Sequence, residues 1–333
     1  MFLHQEKSLF DLNPDVFFVI LNYIPNIREK VRLRRVCKFF NWIICQYFAN
    51  CDLKLTEKEH IYYRGIRLER SVRMKFMQLM ATCPRLRRFR SDIVPIEWNL
   101  SQLSKIPSLE VLEIDWRKKK YRFLGLDILL SKCVNLRELG LIGYDCEGGI
   151  QYKPCGLTSL CLDYCNIPFQ DVLELVIING QTLTRLEYHN LTDNLDGELN
   201  KVLIDTIGQC CSQLATLRLY INDTPVEGLK QLTNLRNLFL IMNISGKDVQ
   251  ALMRNNPNLR WMVVHQKEIS YSDVLIFCMK FCKSMEQISI NNDRIPVFSE
   301  HEVRLWKALP SLKLIHGRPL EYYENNLVTF ASD

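Results

Sequence analysis

Apolar residues recur along most of the chain in a six-residue pattern, L-x-x-L-x-L, with conservative replacements. Its copies begin at residues 86, 109, 136, 157, 183, 214, 235, 259, 285 and, in degraded form, 312. From 86 to 312 is 226 residues over nine intervals, a mean near 25. The fourth and sixth positions alternate as side chains do along a strand, so both point inward. Each copy therefore predicts one short strand, and the period predicts a stack of such strands.

Amphipathic stretches of helical period lie between these strands, at 72–80, 123–133, 169–177, 199–210, 247–255, 272–282 and 299–309. Ser272 with Asp273, and Ser299, are predicted N-caps. One such unit cannot bury its apolar face alone, whereas stacked units share a continuous core. The predicted fold is α/β, a curved solenoid with parallel strands on its concave side and helices on its convex side.

These repeats resemble the leucine-rich repeat superfamily over residues 51–320. The segment CNIPFQDVLELV, residues 165–176, resembles the cysteine-containing subtype. In that subtype a Cys or Asn after the strand bonds to the backbone of neighbouring turns. The resemblance implies that Cys146 and Cys165 pack in turns rather than react.

The N-terminal residues 9–50 lack the repeat and predict three short helices, at 14–24, 27–35 and 37–48. Asn13 is a suitable N-cap, and Pro14 suits the first turn of a helix, where its missing N–H costs nothing. The first helix has an apolar face wider than a small three-helix unit needs. That face comprises Val16, Phe17, Ile20, Leu21 and Ile24, broadened by Phe18 and Val19.

Residues 12–43, LNPDVFFVILNYIPNIREKVRLRRVCKFFNWI, resemble an F-box. That family's pattern begins Leu-Pro, carries an apolar helix ending in a Leu-Pro pair, and closes with Val-Cys-Lys-x-Trp. Ile24-Pro25 and Val36-Cys37-Lys38 match it. Asn13 stands in place of the first Pro and Phe40 in place of the Trp, with Trp42 two residues later.

The resemblance implies docking onto a Skp-type adaptor, and through it onto a cullin-RING ubiquitin ligase. The adaptor-binding residues would be Leu12, Pro14, Val16, Ile20, Leu21, Ile24, Leu33, Val36 and Phe40. Composition alone also allows these helices to be a cap for the solenoid. The expected organisation is a tail at 1–8, the F-box at 9–50, about ten repeats over 51–320, and a tail at 321–333.

Side chains that alternate with the buried strand leucines should line the concave face, where a substrate protein would bind. The predicted substrate-binding residues are Arg185, Glu187, His189, Arg218, Tyr220, Phe239, Trp261 and His265. Tyr220, Phe239 and Trp261 fall on three successive repeats and predict an aromatic patch bordered by arginines, a composition typical of binding hot spots. A slipped register would instead turn individual members toward a helix or loop.

Charge is distributed unevenly. The formal net charge is +6, but residues 28–122 hold 23 Lys/Arg against 10 Asp/Glu, a net +13, which leaves 6 − 13 = −7 elsewhere. Basic runs occur at 28–38 and 117–122. They are compatible with a solvated rim, with a site for an acidic or phosphorylated protein, or with nucleic acid or a localisation signal. Without a dedicated module or interleaved aromatic residues, nucleic acid is the least favoured of these.

No catalytic motif is present: the six histidines are scattered, and no P-loop, HExxH or Gly-x-Ser-x-Gly occurs. The 13 cysteines form no CxxC pair, so we expect free thiols and neither metal nor cofactor. No apolar run is long enough to span a membrane, and no signal peptide is apparent, so we expect a cytoplasmic or nuclear location. The expected function is therefore a non-catalytic substrate receptor of a Skp-cullin-F-box ligase. The alternative is a protein-interaction scaffold outside the ligase.

Overall fold

A computed structural model describes residues 12–24, 27–50, 52–55, 86–91, 104, 106–115, 126–145, 149–190, 197–221, 225–242, 244–264, 269–290, 298–315 and 318–320. The predicted helix at 72–80, Cys146 and His265 lie outside these residues. The chain forms two compact units. The first comprises residues 1–114 and 124–136, and the second comprises 115–123 and 137–333.

The first unit begins with the three predicted helices, α1 (Pro14–Tyr23), α2 (Ile27–Leu33) and α3 (Lys38–Asn50). Both α1 and α2 pack against α3. Their core contains Phe17 and Leu21 from α1 and Ile43, Ile44 and Tyr47 from α3. We call residues 12–50 the three-helix region.

One hydrogen-bonded chain ties the three helices together. The Tyr47 hydroxyl of α3 accepts a hydrogen bond from Lys30 Nζ of α2 at 2.8 Å. The same hydroxyl donates to Asn22 Oδ1 of α1, also at 2.8 Å. A buried aromatic residue with a polar end can in this way fix three short elements that have a small core.

The first unit also contains three strands, β1 (Asp52–Leu55), β2 (Arg88–Ser91) and β3, which starts in this unit and covers Val111–Asp115. They pair in parallel in the order β1-β2-β3. The L-x-x-L-x-L pattern predicted β2 and β3 but not β1. Helix α4 (Leu126–Lys132) follows, with Leu126, Leu129 and Leu130 buried.

The second unit continues the repeat with eight parallel strands in sequence order. They are β4 (Glu138–Ile142), β5 (Ser159–Cys165), β6 (Arg185–Asn190), β7 (Thr216–Tyr220), β8 (Asn237–Ile241), β9 (Trp261–Val264), β10 (Gln287–Ile290) and β11 (Leu314–Ile315). A last strand, β12 (Arg318–Pro319), pairs antiparallel with β11. Each of the eight parallel strands begins two residues after a predicted repeat start, so the predicted repeat is confirmed.

Helices connect most of these strands: α5 (Phe169–Asn179), α6 (Gly197–Cys210), α7 (Gly246–Asn255), α8 (Tyr271–Phe281) and α9 (Glu300–Lys307). Ser299 caps α9 as predicted, and it also forms a full capping box with Glu302. The cap predicted for α8 was wrong. Ser270, not Ser272, caps it, because the Ser270 hydroxyl oxygen lies 3.1 Å from the Asp273 backbone N–H and accepts its hydrogen bond.

The connection between β7 and β8 is a 3₁₀ helix, Glu227–Gln231, which the sequence did not predict. It packs directly on α6 because two glycines allow the backbones to touch. A Cβ atom on Gly208 would lie 2.0 Å from the carbonyl oxygen of Gly228, and one on Gly228 would lie 2.6 Å from Asp205 Cα. A side chain at either position would force the two elements apart.

Buried Asn and Cys side chains bond to the backbone of neighbouring repeats. Asn179, at the end of α5, accepts from Leu157 N at 2.8 Å and donates to the carbonyl oxygens of Pro154 and Leu175 at 3.0 and 2.8 Å. Asn256, after α7, makes the equivalent three bonds. The turn-packing role of Cys165 is confirmed, since its thiol is buried and donates to Leu141 O at 3.0 Å.

Strand leucines such as Leu160, Leu186, Leu217 and Leu238 are buried together with the inner faces of the helices. The second unit is thus an α/β stack of parallel strands and connecting helices, consistent with leucine-rich repeats. The intervening strand residues point away from that core, because successive side chains in a strand alternate between faces. We call the face that these residues form on β5–β9 the strand face.

Candidate interaction surfaces

Helix α1 carries two apolar faces. Asn13 fixes its start, with its side-chain oxygen 3.0 Å from the backbone nitrogen of Asp15, and Pro14 occupies the first turn. Phe17 and Leu21 point into the core. On the opposite face Val16, Val19, Ile20 and Tyr23 remain exposed. The helix therefore has more apolar surface than its own unit covers.

The structure divides the predicted adaptor-binding residues into three groups. Leu12, Val16, Ile20 and Val36 are exposed, Pro14, Ile24, Leu33 and Phe40 are half-buried, and Leu21 is buried. Phe40 supports the region from inside, since its ring lies 5.9 Å from that of Phe17. Leu21 likewise belongs to the core and is positioned to support a docking surface rather than to contact a partner.

Two exposed aromatic residues of the three-helix region were not among those predicted. Tyr23 is 83% exposed at the end of α1, and Trp42 is 47% exposed on α3 beside Phe39, with ring centroids 6.1 Å apart. The sequence signalled Trp42 only as a neighbour of the Phe40 position. Together with Val16 and Ile20 they give this region a large share of exposed apolar side chains.

On the strand face, register places side chains in rows across the strands. Glu187, Arg218 and Phe239 pair in one row of β6, β7 and β8. His189 pairs with Asp163 on one side and Tyr220 on the other. Arg185 shares a third row with Thr216, Asn237 and Trp261. All the predicted substrate-binding residues that the structure describes therefore lie on this face.

Three aromatic rings are in contact on the strand face. The His189 ring stacks on Tyr220 with centroids 4.4 Å apart and 16° between the planes. Tyr164 contacts the same imidazole at 4.0 Å. His189 Nδ1 also lies 3.0 Å from Asp163 Oδ1. The histidine is held on three sides and acts as the centre of this cluster.

Tyr164 was missed by the sequence analysis because strand alternation would turn it inward. The pairing of β5 with β6 shifts between Asp163 and Cys165, which is a β-bulge with Tyr164 as the extra residue. Its φ is 55°, in the left-handed region that bulky residues rarely adopt. The bulge buries Cys165 and exposes Tyr164, so backbone strain is used to bring the tyrosine ring to His189.

Arginines and acids form a network beside this stack. Arg185 donates to Glu187 Oε1 from Nε at 2.9 Å and from Nη2 at 2.6 Å. Arg218 donates to the Tyr220 hydroxyl, with its guanidinium 4.9 Å from the Tyr220 ring centroid. Burial acts to lower the pKa of Arg218, but the Tyr220 hydrogen bond and nearby negative charges raise it on balance. The guanidinium is therefore a fixed positive charge.

The three residues of the predicted aromatic patch share the strand face but lie in different rows. Among the described residues, no ring contact joins Tyr220, Phe239 and Trp261, because the three occupy different rows of the register. Tyr220 instead contacts His189. Trp261 is 44% exposed near Asn237, and Phe239 is half-buried beside Arg218 and Val263 in its row.

Within the described part of the chain, no group of three or more His, Cys, Asp or Glu side chains is placed to hold a metal ion. The ten cysteines described there are free thiols. Burial, with the adjacent Glu187 carboxylate, raises the pKa of Cys161 far above its usual value, so this thiol stays protonated. The described helices include none whose length and apolar content would suffice for a membrane span.

No family model matches the chain, and no curated protein matches it. Among solved structures the chain is similar to one in the crystal structure of a TLR13–ssRNA13 complex, with 12% sequence identity and a TM-score of 0.28. That match covers 69% of this chain and 45% of the other, so the chain spans less than half the length of that protein.

Proposed function

We propose that this protein is the substrate receptor of a Skp-cullin-F-box ubiquitin ligase. The observation that carries the proposal is the second apolar face of α1, where Val16, Val19 and Ile20 stay exposed although Phe17 and Leu21 already fill the core. The F-box resemblance of residues 12–43 gives that face a specific partner, a Skp-type adaptor.

Burial of the exposed face would contribute part of the free energy that a stable complex requires. Fully burying one large apolar side chain stabilises by about 1.5–3 kcal/mol. The side chains of Val16 and Ile20 are 41% and 43% exposed, so each would contribute roughly a third to a half of that. Several such residues are needed because association itself costs several kcal/mol. Tyr23 and Val36, which are more exposed, would supply a further share.

In this proposal the strand face binds the substrate protein, and the ligase's other subunits transfer ubiquitin. The receptor contributes proximity, because a bound substrate presents its lysines at high effective concentration to the charged carrier. Such a role requires no catalytic group on this chain. It takes place in the cytoplasm or nucleus, where cullin-RING ligases would meet their substrates.

The test is a pull-down of a Skp-type adaptor with the full chain and with Val16→Asp plus Ile20→Asp. We expect the double variant to lose adaptor binding, because the charges would be desolvated in an apolar interface. Ile128→Asp plus Val134→Asp is the matched control, since those side chains are also exposed and apolar but belong to α4 and its following turn. Undiminished adaptor binding by the α1 variant would refute the proposal.

The second candidate is a protein-interaction scaffold outside the ligase. It is favoured by the ordered network of Asp163, His189, Tyr220 and Arg218, which suits partner binding without any adaptor. The α1 double variant separates the two in cells. A receptor would still bind its partner but no longer accelerate that partner's degradation, whereas for a scaffold the partner's lifetime would be the same with either form.

A further inference from the structure

The charges of the strand face differ by sign in how far they reach solvent. The side chains of Arg185, Arg218 and Arg260 are 56%, 43% and 57% exposed. Those of Asp163 and Glu187 are only 23% and 14% exposed. The acidic side chains are less exposed and bond to their neighbours, so the charge that a partner would meet is positive.

Four arginines lie on or directly before successive strands. Arg185 lies on β6 and Arg218 on β7, while Arg236 and Arg260 each immediately precede the next two strands, β8 and β9. The last two are held in adjacent positions by a hydrogen bond from Arg260 N to Arg236 O at 2.8 Å. One arginine therefore accompanies each of four successive strands. They occupy different register positions: Arg185 lies in the row of Thr216, Arg218 in the row of Phe239, and Arg236 and Arg260 one residue before their strands. The arginines thus form a staggered row across β6–β9, roughly 14 Å long because neighbouring strands lie about 4.8 Å apart.

Exposed aromatic rings flank this row. Tyr164 lies on β5, held outward by the bulge, and Trp261 lies on β9. Aromatic residues and arginine are the side chains most enriched among those that dominate protein interfaces. A partner crossing the strands would meet an aromatic ring, then four guanidinium groups, then a second aromatic ring.

We propose that the strand face binds an acidic segment of a protein partner, lying across β5–β9, with Asp or Glu side chains placed over the arginine row. This deepens the proposed function, on which it rests, by naming the class of substrate segment. Discrete carboxylates fit better than a nucleic-acid strand. The three nearby acids, Asp163, Glu187 and Glu286, would repel a continuous phosphate backbone, whereas separate carboxylates can be placed over the arginines alone.

The experiment is a selection of random twelve-residue peptides displayed on phage, with the full chain immobilised as the target. We expect the selected peptides to be rich in Asp and Glu and to contain an apolar or aromatic residue. A synthetic copy of the strongest peptide should bind, by fluorescence anisotropy, on the order of tenfold more weakly to Arg236→Glu plus Arg260→Glu. Both side chains are exposed, so the variant should fold.

The matched control is Arg254→Glu plus Arg304→Glu, which changes the net charge equally at exposed helix positions. It should leave peptide affinity unchanged. Tyr164→Gly provides a second variant, expected to weaken binding without changing charge. Selection of basic or uncharged peptides, no selection at all, or equal weakening by the control would overturn the inference. Tighter binding of a fluorescent oligouridylate than of the peptide would also overturn the inference and would identify nucleic acid as the ligand.

The adaptor pull-down on the same preparations separates this inference from the function on which it rests. Adaptor binding without selection of acidic peptides would remove the acidic-segment inference and leave the ligase proposal intact. Selection of acidic peptides without adaptor binding would remove the ligase role and keep the acidic segment as the ligand of a scaffold.

Discussion

The three-helix region and the strand face expose aromatic and aliphatic side chains on different kinds of support. On α1, Val16 and Ile20 simply lie opposite a core formed by Phe17 and Leu21. On the strand face, Tyr164 and Tyr220 are fixed by ring contacts with His189, and Tyr220 also by a hydrogen bond from Arg218. The first surface suits burial against a preformed partner, where shape complementarity and buried apolar area determine the affinity. The second holds polar groups in place and suits discrimination between partners.

The largest predicted effect tests whether one face of α1 belongs to the core while the other face does not. Leu21→Ala should lower the free energy of unfolding by about 2–5 kcal/mol, because it leaves a cavity in a core site that is 2% exposed. Ile20→Ala, one residue earlier and 43% exposed, should cost less than about 1 kcal/mol. Urea denaturation of both variants measures the difference. Equal losses would mean that Ile20 belongs to the core and is not a docking residue.

The next effect concerns the buried polar groups of the second unit. Asn256→Ala should lower the free energy of unfolding by about 2–4 kcal/mol. It leaves Leu235 N and the carbonyl oxygens of Leu232 and Leu252 without their side-chain partner. Asn234→Ala is the control, because Asn234 is exposed and makes one bond, to Ser212 O at 2.8 Å. If Asn256→Ala were as mild as the control, the side-chain bonds between repeats would be dispensable.

Most of the fold could be predicted from sequence because leucine spacing carries the information. Positions four and six of each repeat are the buried residues of a strand, as in Leu160 and Leu162 of β5. The same rule fails at Tyr164, since a bulge inserts one residue and reverses the alternation. The stacking of His189 on Tyr220 also follows from pairing between strands, which single-strand patterns do not contain. For the predicted strand-face residues that the structure describes, only the outward position could be read from the sequence.

A smaller effect tests the strain at Tyr164. Tyr164→Gly should change the free energy of unfolding by less than about 1 kcal/mol, because relief of the left-handed backbone offsets the lost ring contact with His189. Tyr164→Val also loses the ring but keeps the backbone strain, since β-branched residues tolerate positive φ poorly. It should lower the free energy of unfolding by about 1–2 kcal/mol more than Tyr164→Gly does. Chemical denaturation distinguishes them. A valine variant as stable as the glycine variant would show that the backbone there is not strained.

The smallest predicted effect comes from an ion pair in the second unit whose residues belong to neither surface. Lys230 Nζ lies 2.8 Å from Asp248 Oδ1 and joins the 3₁₀ helix to α7. Burial acts to raise the pKa of Asp248, but hydrogen bonds from Lys230 and Ser245 lower it on balance. Because the pair is partly exposed, Asp248→Asn should cost only about 0.2–1 kcal/mol at pH 7.

The sign of the pH dependence follows from the lowered pKa. An acid whose pKa is lower in the folded state stabilises the fold above its unfolded pKa of about 4, and this contribution disappears as pH falls through the folded pKa. The difference between Asp248→Asn and the natural protein should therefore be present at pH 7 and lost at a pH below the folded pKa, which itself lies below the usual value of about 4. Urea denaturation at both pH values measures it, and in the Lys230→Met background the Asn substitution should have a smaller effect. A difference that stayed constant down to low pH would mean that the loss comes from the hydrogen bond with Ser245 rather than from charge. The Lys230–Asp248 ion pair would then make no measurable contribution to joining the 3₁₀ helix to α7.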